Sequence, residues 1–298
     1  MSKTLSGIMI PAVTPFTTFG ELDRPAFQSN LRAHLGLGMN GALIAGSSGE
    51  AALLDDAERG MLIKWAREVI PADKWLLAGI GSESTRQTIN RAKVARDEGA
   101  DAVLVVAPHY YLKRTTEAAL SAHYNAIADA SPLPVMLYNI PVYAHLALTP
   151  ALVHEMAKHE NVIGMKDSAG NLPMLAEYLA ASSDSFRVLT GSGATTTAAL
   201  KAGAAGAILA IALFAGPAAL AMHLAQQAGD EVTAAALQLR LVPLATDIGG
   251  ALGPAGIKAA MDLVGLSGGA PRGPLLPLTA DEHALVRTRL ETAGLLPS

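Results

Sequence analysis

The feature that most constrains this chain is a recurrence. Short apolar, β-rich runs alternate with stretches of helical spacing along most of its length. The runs are "IMIPAVTP", "GALIAGSS", "KWLLAGIG", "DAVLVVAP", "PVMLYNIP", "NVIGMKDS", "FRVLTGSG" and "GAILAIAL", eight in all. A strand with one wet face alternates polar and apolar residues. These runs are apolar almost throughout, so both faces need cover, which is the pattern of a parallel sheet with helices on its faces. Helix-start signals fall between the runs, such as Asp55 with Glu58 three residues on, a capping-box pattern ahead of "MLIKWAREVI". Eight such units predict an α/β chain folded as a (β/α)8, or TIM, barrel. A doubly wound sheet is the alternative, and it requires a glycine-rich phosphate turn directly after the first strand. "GLGMNG" (36–41) matches that motif in letters but follows a helix and precedes a strand, so it reads as a helix-ending loop. After Phe214 the pattern turns helical with Pro/Gly punctuation and no linker. The expected organisation is a catalytic barrel over 1–215 and a helical C-terminal extension over 216–298 packed on it.

With 298 residues, 51% of them hydrophobic, the chain can bury a core of this size. A net charge of -4 and the lack of any Lys/Arg cluster beyond solvated helix faces argue against nucleic acid as a partner. Cysteine is absent, which removes disulfides and thiolate chemistry and fits a reducing compartment; a cytoplasmic location is expected. The start "MSKTLSGIMIPAVTPF" lacks the cationic end and long apolar core of a signal peptide, so the mature chain is expected to begin here. No charged residue occurs between Lys201 and Asp230. Gly203, Gly206 and the Gly216-Pro217 pair break that stretch into pieces too short to span a bilayer, so it reads as a buried strand followed by a helix, and no membrane partner is expected.

Barrel chemistry lies at the C-terminal strand ends. Thr14, Ser47, Ser48, Glu50, Tyr110, Tyr111, Tyr138, Asn139, Lys166, Ser168 and Ser192 fall there. Asn139, Asp167 and Ser192 need no more explanation than that strand ends meet water. Lys166 does, because "VIGMKDS" calls for an apolar residue at its position. Alternation sets Lys166 and Ser168 on one face and Asp167 on the other. An inward lysine among apolar residues loses hydration that favours its charged form, and its pKa is expected to fall. A neutral amine attacks ketones and aldehydes, and the iminium it forms is an electron sink. A purely structural lysine would instead need a carboxylate such as Glu50. The run Ser47-Ser48-Gly49-Glu50 ends a strand and is expected to open a helix, where free N–H groups and small hydroxyls suit a carboxylate as well as an ordinary cap. Tyr138, in "LYNIP", can shuttle a proton to a carbinolamine oxygen or be a buried structural phenol.

Metal sites look poor. "HEMAKH" (154–159) has one residue too many for the zincin signature, and five helical steps turn His159 about 140° from His154. Both read as surface histidines, and no triad, phosphate loop or close acid pair stands out.

"GSSGE" after the second run, "YNIP" after the fifth and "GMKDS" on the sixth resemble, in this order, the dihydrodipicolinate synthase/N-acetylneuraminate lyase family. These are class I aldolases that use pyruvate through a lysine Schiff base; the likeness runs from Ile8 to about Pro277. The resemblance implies a homotetramer, a dimer of dimers, of (β/α)8 barrels with no cofactor beyond the lysine imine. It implies Lys166 as the Schiff-base lysine and Tyr138 as the proton shuttle. Ser47 would relay protons between Tyr138 and Tyr111 of a neighbouring subunit. Ser48 and the backbone around Gly49 would hold the pyruvyl carboxylate, with Gly191 and Ile208 lining the pocket. The family often has threonines at positions 47 and 48. Where its synthases carry an arginine that grips the carboxylate of aspartate semialdehyde, this chain has Tyr143, and a phenol does not replace a bidentate charged fork. The acidic pair of sialic acid lyases is absent from "TGSGAT". Longer stretches, among them "LLAGIGSEST" and "GPAGIKAAMDLVGLSGGAPRGPL", resemble the 4-hydroxy-2-oxoglutarate aldolases, which release pyruvate and glyoxylate, and Ser168 would then receive the glyoxylate end. The alternatives are 4-hydroxy-tetrahydrodipicolinate synthase, another 2-keto-3-deoxy acid aldolase or dehydratase, and a non-catalytic 2-keto acid sensor.

Overall fold

The computed structural model describes residues 3–297, so the outermost ends of both expected segments lie outside the described residues. Strands β1 (Gly7–Pro11), β2 (Gly41–Ile44), β3 (Trp75–Gly79), β4 (Ala102–Val106), β5 (Val135–Asn139), β6 (Val162–Asp167), β7 (Arg187–Thr190) and β8 (Gly206–Ile208) pair in parallel, each with the next. β8 pairs back to β1, closing the barrel. All eight apolar runs are therefore strands of one (β/α)8 barrel. Helices α1 (Arg24–Gly36), α2 (Asp56–Arg67), α3 (Thr85–Asp97), α4 (Glu117–Ala130), α5 (Pro141–Ala144), α6 (Pro150–Met156), α7 (Leu172–Leu179), α8 (Thr196–Lys201) and α9 (Gly216–Gln227) lie between and after the strands. Helices α10 (Glu231–Pro243), α11 (Gly253–Leu263) and α12 (Ala280–Thr292) form the C-terminal extension.

Local signals account for most boundaries. The Asp55/Glu58 capping box is formed at the start of α2. "GLGMNG" is the turn from the end of α1 into β2, as its order implied. The charge-poor stretch after Lys201 becomes β8 and α9, and no helix is long and apolar enough to cross a membrane among the described residues. α9 packs beside α8 and against β1, so the expected division at 215/216 falls between β8 and the helix that completes its unit.

Two cores follow from strand alternation. Met9, Leu43, Leu77, Leu104, Met136, Leu189 and Ile208 fill the barrel interior. Ile8, Ile10, Ile44, Val103, Val105, Leu137 and Met165 point outward to the helices. β6 departs from simple alternation. Val162 faces outward, and a register shift against β5 lets Val135 pair with Val162 but Met136 with Gly164. The extra residue reverses the phase, so Met165 faces out and Lys166 in.

Beyond α10, Pro243 supplies no N–H, and the chain passes through a π-helix, Leu244–Ala251, into α11. This segment lies over the C-terminal mouth of the barrel, where Ala245, Gly249, Gly250, Pro254 and Ile257 form one wall of a cavity of about 200 Å³.

Candidate active site

The β5–β6 register sets Tyr138 beside Lys166, with both side chains inside the mouth. Lys166 is 4% exposed and Tyr138 6%. The lysine Nζ lies 3.4 Å from the tyrosine hydroxyl and 4.6 Å from its ring centre. The Ser47 hydroxyl is 3.5 Å from the same phenol oxygen. These spacings are at the long end of hydrogen bonding, within reach of a relay that tightens on a bound substrate. Lys166 has no ion-pair partner among the described residues. Glu50, the carboxylate that would have made it structural, pairs instead with Lys258 of α11 at 2.5 Å.

Ser47–Gly49 is a single 3-10 turn, not the start of the expected longer helix. It is bracketed by two non-glycine residues in left-handed backbone, Ala45 at φ 53° and Glu50 at φ 56°. Each costs of order 1 kcal/mol or more, and the surroundings must hold them. The N–H groups of Gly49 and Glu50 close the turn onto Gly46 and Ser47. Those of Ser47 and Ser48 have no partner among the described residues, so two donors and two hydroxyls meet at the cavity wall. Gly49 itself serves packing. A Cβ there would come within 2.7 Å of the Ala12 carbonyl, and its own carbonyl accepts a 2.7 Å bond from Thr14.

Ser168, Gly191, Ile208 and Tyr143 also line the cavity. Gly191 does more than line it. A side chain there would lie 2.0 Å from the Ser168 hydroxyl and 2.7 Å from Lys166 Cε. Tyr143 stands on α5, and although 44% of the residue is exposed, its hydroxyl reaches in toward Gly253. Burial of that end, then Tyr138, raises the phenol above its ordinary pKa. Lys166 is the single charged side chain among the described residues that line the cavity.

Tyr111 is not brought to the site within one chain. It is 72% exposed and stacks edge-on with Tyr110 at 4.9 Å. Asn139 and Asp167 were expected to meet water as strand ends, and they do not. They are 1% and 2% exposed on the outer face, where Asn139 donates to Asp167 at 2.7 Å and accepts from the Leu148 N–H. Burial raises the Asp167 pKa against the hydrogen bonds that its carboxylate accepts from Asn139 and from the Ala169 N–H. Ser192 lines the cavity and accepts from the Thr195 hydroxyl. His154 and His159 are partly exposed at the surface, and hydrogen-bond separately to the Glu177 carbonyl and Asp129. No three metal-ligating side chains converge among the described residues.

The extension's share of the wall had no signature in the sequence. Lys258 had one, since "GIKAAM" carries a lysine in an apolar run just as "GMKDS" does.

Comparisons with known proteins point to one family. Residues 4–293 match the dihydrodipicolinate synthetase family. A 4-hydroxy-tetrahydrodipicolinate synthase of an Exiguobacterium species is 33% identical over 286 residues, covering 96% of this chain and 97% of that protein. Among solved structures, a dihydrodipicolinate synthase of Bacillus anthracis superposes with a TM-score of 0.93 at 29% identity, over 100% of both chains. The chloride-inhibited synthase of Acinetobacter baumannii, complexed with pyruvate, gives a TM-score of 0.93 at 31% identity over 98% of this chain and 100% of its own. All three bear the synthase name, the activity kept as an alternative from the sequence. With one family matched from end to end, the same barrel in its solved members, and a buried lysine at the mouth, this chain belongs to the dihydrodipicolinate synthetase family of pyruvate-dependent class I aldolases.

Proposed function

We propose that Lys166 carries the Schiff base and that the enzyme cleaves 4-hydroxy-2-oxoglutarate to pyruvate and glyoxylate. The observation that carries the first part is the register pair: a buried lysine without a carboxylate partner, beside a phenol, at the mouth of an apolar barrel. The amine adds to the ketone carbon, and Tyr138 donates a proton to the carbinolamine oxygen, which leaves as water to give the iminium. Loss of the proton from the 4-hydroxyl breaks the C3–C4 bond. Glyoxylate departs, and the electron pair passes to the iminium as an enamine. Protonation at C3 and addition of water then release pyruvate and the free amine. The unpartnered amides of Ser47 and Ser48, with the Ser48 hydroxyl, receive the carboxylate next to the ketone. Ser47 links Tyr138 to Tyr111 of a neighbouring copy in a homotetramer.

The finer assignment rests on the far half of the cavity. Apart from Lys166 its described lining is uncharged, and Tyr143 stands where the resemblance puts an arginine. The carboxylate of aspartate semialdehyde therefore has no ionic partner, whereas that of glyoxylate is short enough for the Ser168 and Ser192 hydroxyls. The names of the relatives favour the synthase as the second reading.

Pyruvate with borohydride should add a reduced pyruvyl mass to the peptide containing Lys166; labelling elsewhere, or none, refutes the mechanism. Cleavage of 4-hydroxy-2-oxoglutarate should exceed condensation of pyruvate with aspartate semialdehyde by at least about tenfold in kcat/KM, the size of one lost charge-assisted contact. An equal or faster synthase reaction hands the function to the second reading.

A further inference from the structure

The left-handed exit of the Ser47–Gly49 turn is Glu50, and its side chain is fully buried beneath the extension. One oxygen meets Lys258 Nζ at 2.5 Å, and the other accepts the backbone N–H of Arg272 at 2.7 Å. Lys258 is fully buried, donates to the Ala270 carbonyl at 2.9 Å and lies 4.5 Å over the Phe16 ring. Arg272 covers the other approach. Its guanidinium sits 4.1 Å over that ring and grips both oxygens of Glu58 at 2.6 Å. Water has no access to this pair. Burial pulls the Lys258 pKa down while Glu50 pulls it up.

A buried ion pair is a poor stabiliser, because desolvating both charges offsets much of their attraction, and apolar replacement of both partners is often neutral. Its place in the fold is more telling. The pair joins the residue that closes the strained turn to α11, next to Ile257, which walls the same cavity. The Ser47 and Ser48 amides have no hydrogen bond of their own to hold them in aim.

We propose that Glu50 and Lys258 are positioning residues: their ion pair clamps the Ser47–Gly49 turn so that its free amides stay aimed at the carboxylate of the bound 2-keto acid. This rests on the reading of that turn as the carboxylate site. The pair touches neither Lys166 nor Tyr138, so loosening it weakens capture of the keto acid while leaving the amine's chemistry intact.

The test is the isosteric Glu50→Gln variant and the double variant Glu50→Gln, Lys258→Met. Borohydride trapping is followed against pyruvate concentration, with the thermal midpoint measured on the same preparations. In a folded variant the concentration for half-maximal trapping should rise at least about tenfold, the scale of one misaimed charge-assisted donor. The trapping rate at saturating pyruvate should stay within about threefold of wild type. Restoration of wild-type pyruvate dependence in a folded double variant would reduce the pair to a structural element and overturn the proposal. So would a loss confined to the saturating rate, or failure of both variants to fold. If the wild-type protein itself is not trapped at Lys166, the Schiff-base reading falls instead, which keeps the two failures distinguishable.

Discussion

Gly191→Ala offers the sharpest check on the geometry of the reactive amine. The added Cβ would stand 2.7 Å from Lys166 Cε, 2.0 Å from the Ser168 hydroxyl and 3.1 Å from Ser168 Cβ. Carbon atoms settle at about 3.5–4.0 Å, so Lys166 Cε has to retreat by about 1 Å. The serine hydroxyl can rotate away; the lysine stem is enclosed by the barrel and carries the displacement to Nζ, already 3.4 Å from the Tyr138 phenol. A misplacement of about 1 Å in a reacting group costs about 10²-fold. Overpacking a filled site costs about 1–3 kcal/mol, a drop of several degrees in a chain of this size. We expect Gly191→Ala to fold, with a modestly lowered Tm, and to form the pyruvate imine about 10²-fold more slowly in borohydride-quenched time courses. Adding Ser168→Ala relieves the hydroxyl clash but not the contact with Lys166, so it should recover little of the rate. Imine formation within threefold of wild type in Gly191→Ala would refute the reasoning. Full recovery in the double variant would make Ser168, not Lys166, the group that suffers.

Three further outcomes are expected. Tyr138→Phe should lower turnover by about 10² or more with the thermal midpoint nearly unchanged, and near-normal turnover would leave Tyr138 a structural phenol. Tyr143→Arg should move the kcat/KM ratio toward aspartate semialdehyde by about tenfold or more, measured against 4-hydroxy-2-oxoglutarate, because it supplies the missing charged fork; an unchanged ratio would show that position 143 does not discriminate. The third concerns pH. Burial, opposed by Glu83, holds the buried His123 at a pKa of about 4, against 6.5 for an ordinary histidine. Between those values the unfolded chain binds a proton that the folded one refuses, so stability rises with pH through that window and is lost as pH falls from 6.5 to 4. The loss amounts to about 3 kcal/mol at most. His123→Gln should flatten that part of the urea-midpoint profile, and an unaltered slope would assign the acid sensitivity to other groups.

The eight strands were legible because a strand covered on both faces must be apolar along its length, a signal carried within five or six residues. Capping residues such as Asp55 were legible for the same reason: a cap acts on the next turn of chain. Lys166 stood out because an amine in such a strand conflicts with its neighbours, and the family motifs pointed to the same residue. Sequence could also pair Lys166 with Ser168 and oppose Asp167. It did not determine the direction in which that face looks. Counting alternation from the outward Val162 would turn Lys166 to the helices; the register shift against β5 turns it to the mouth, and that shift depends on how two separate strands fit together. The pattern of strand ends likewise offered Glu50 as a partner for Lys166, whereas packing of the extension gave Glu50 to Lys258 from the far end of the chain. Asn139 and Asp167 looked like wet strand ends until the outer layer covered them. The need for an empty position at Gly191 arises only once β6 and β7 lie side by side. Local pattern fixes which residues form strands and helices, because backbone propensity and side-chain period act over a few residues. Register, docking and the partners of buried charges belong to the tertiary structure, because they depend on contacts between segments distant in sequence.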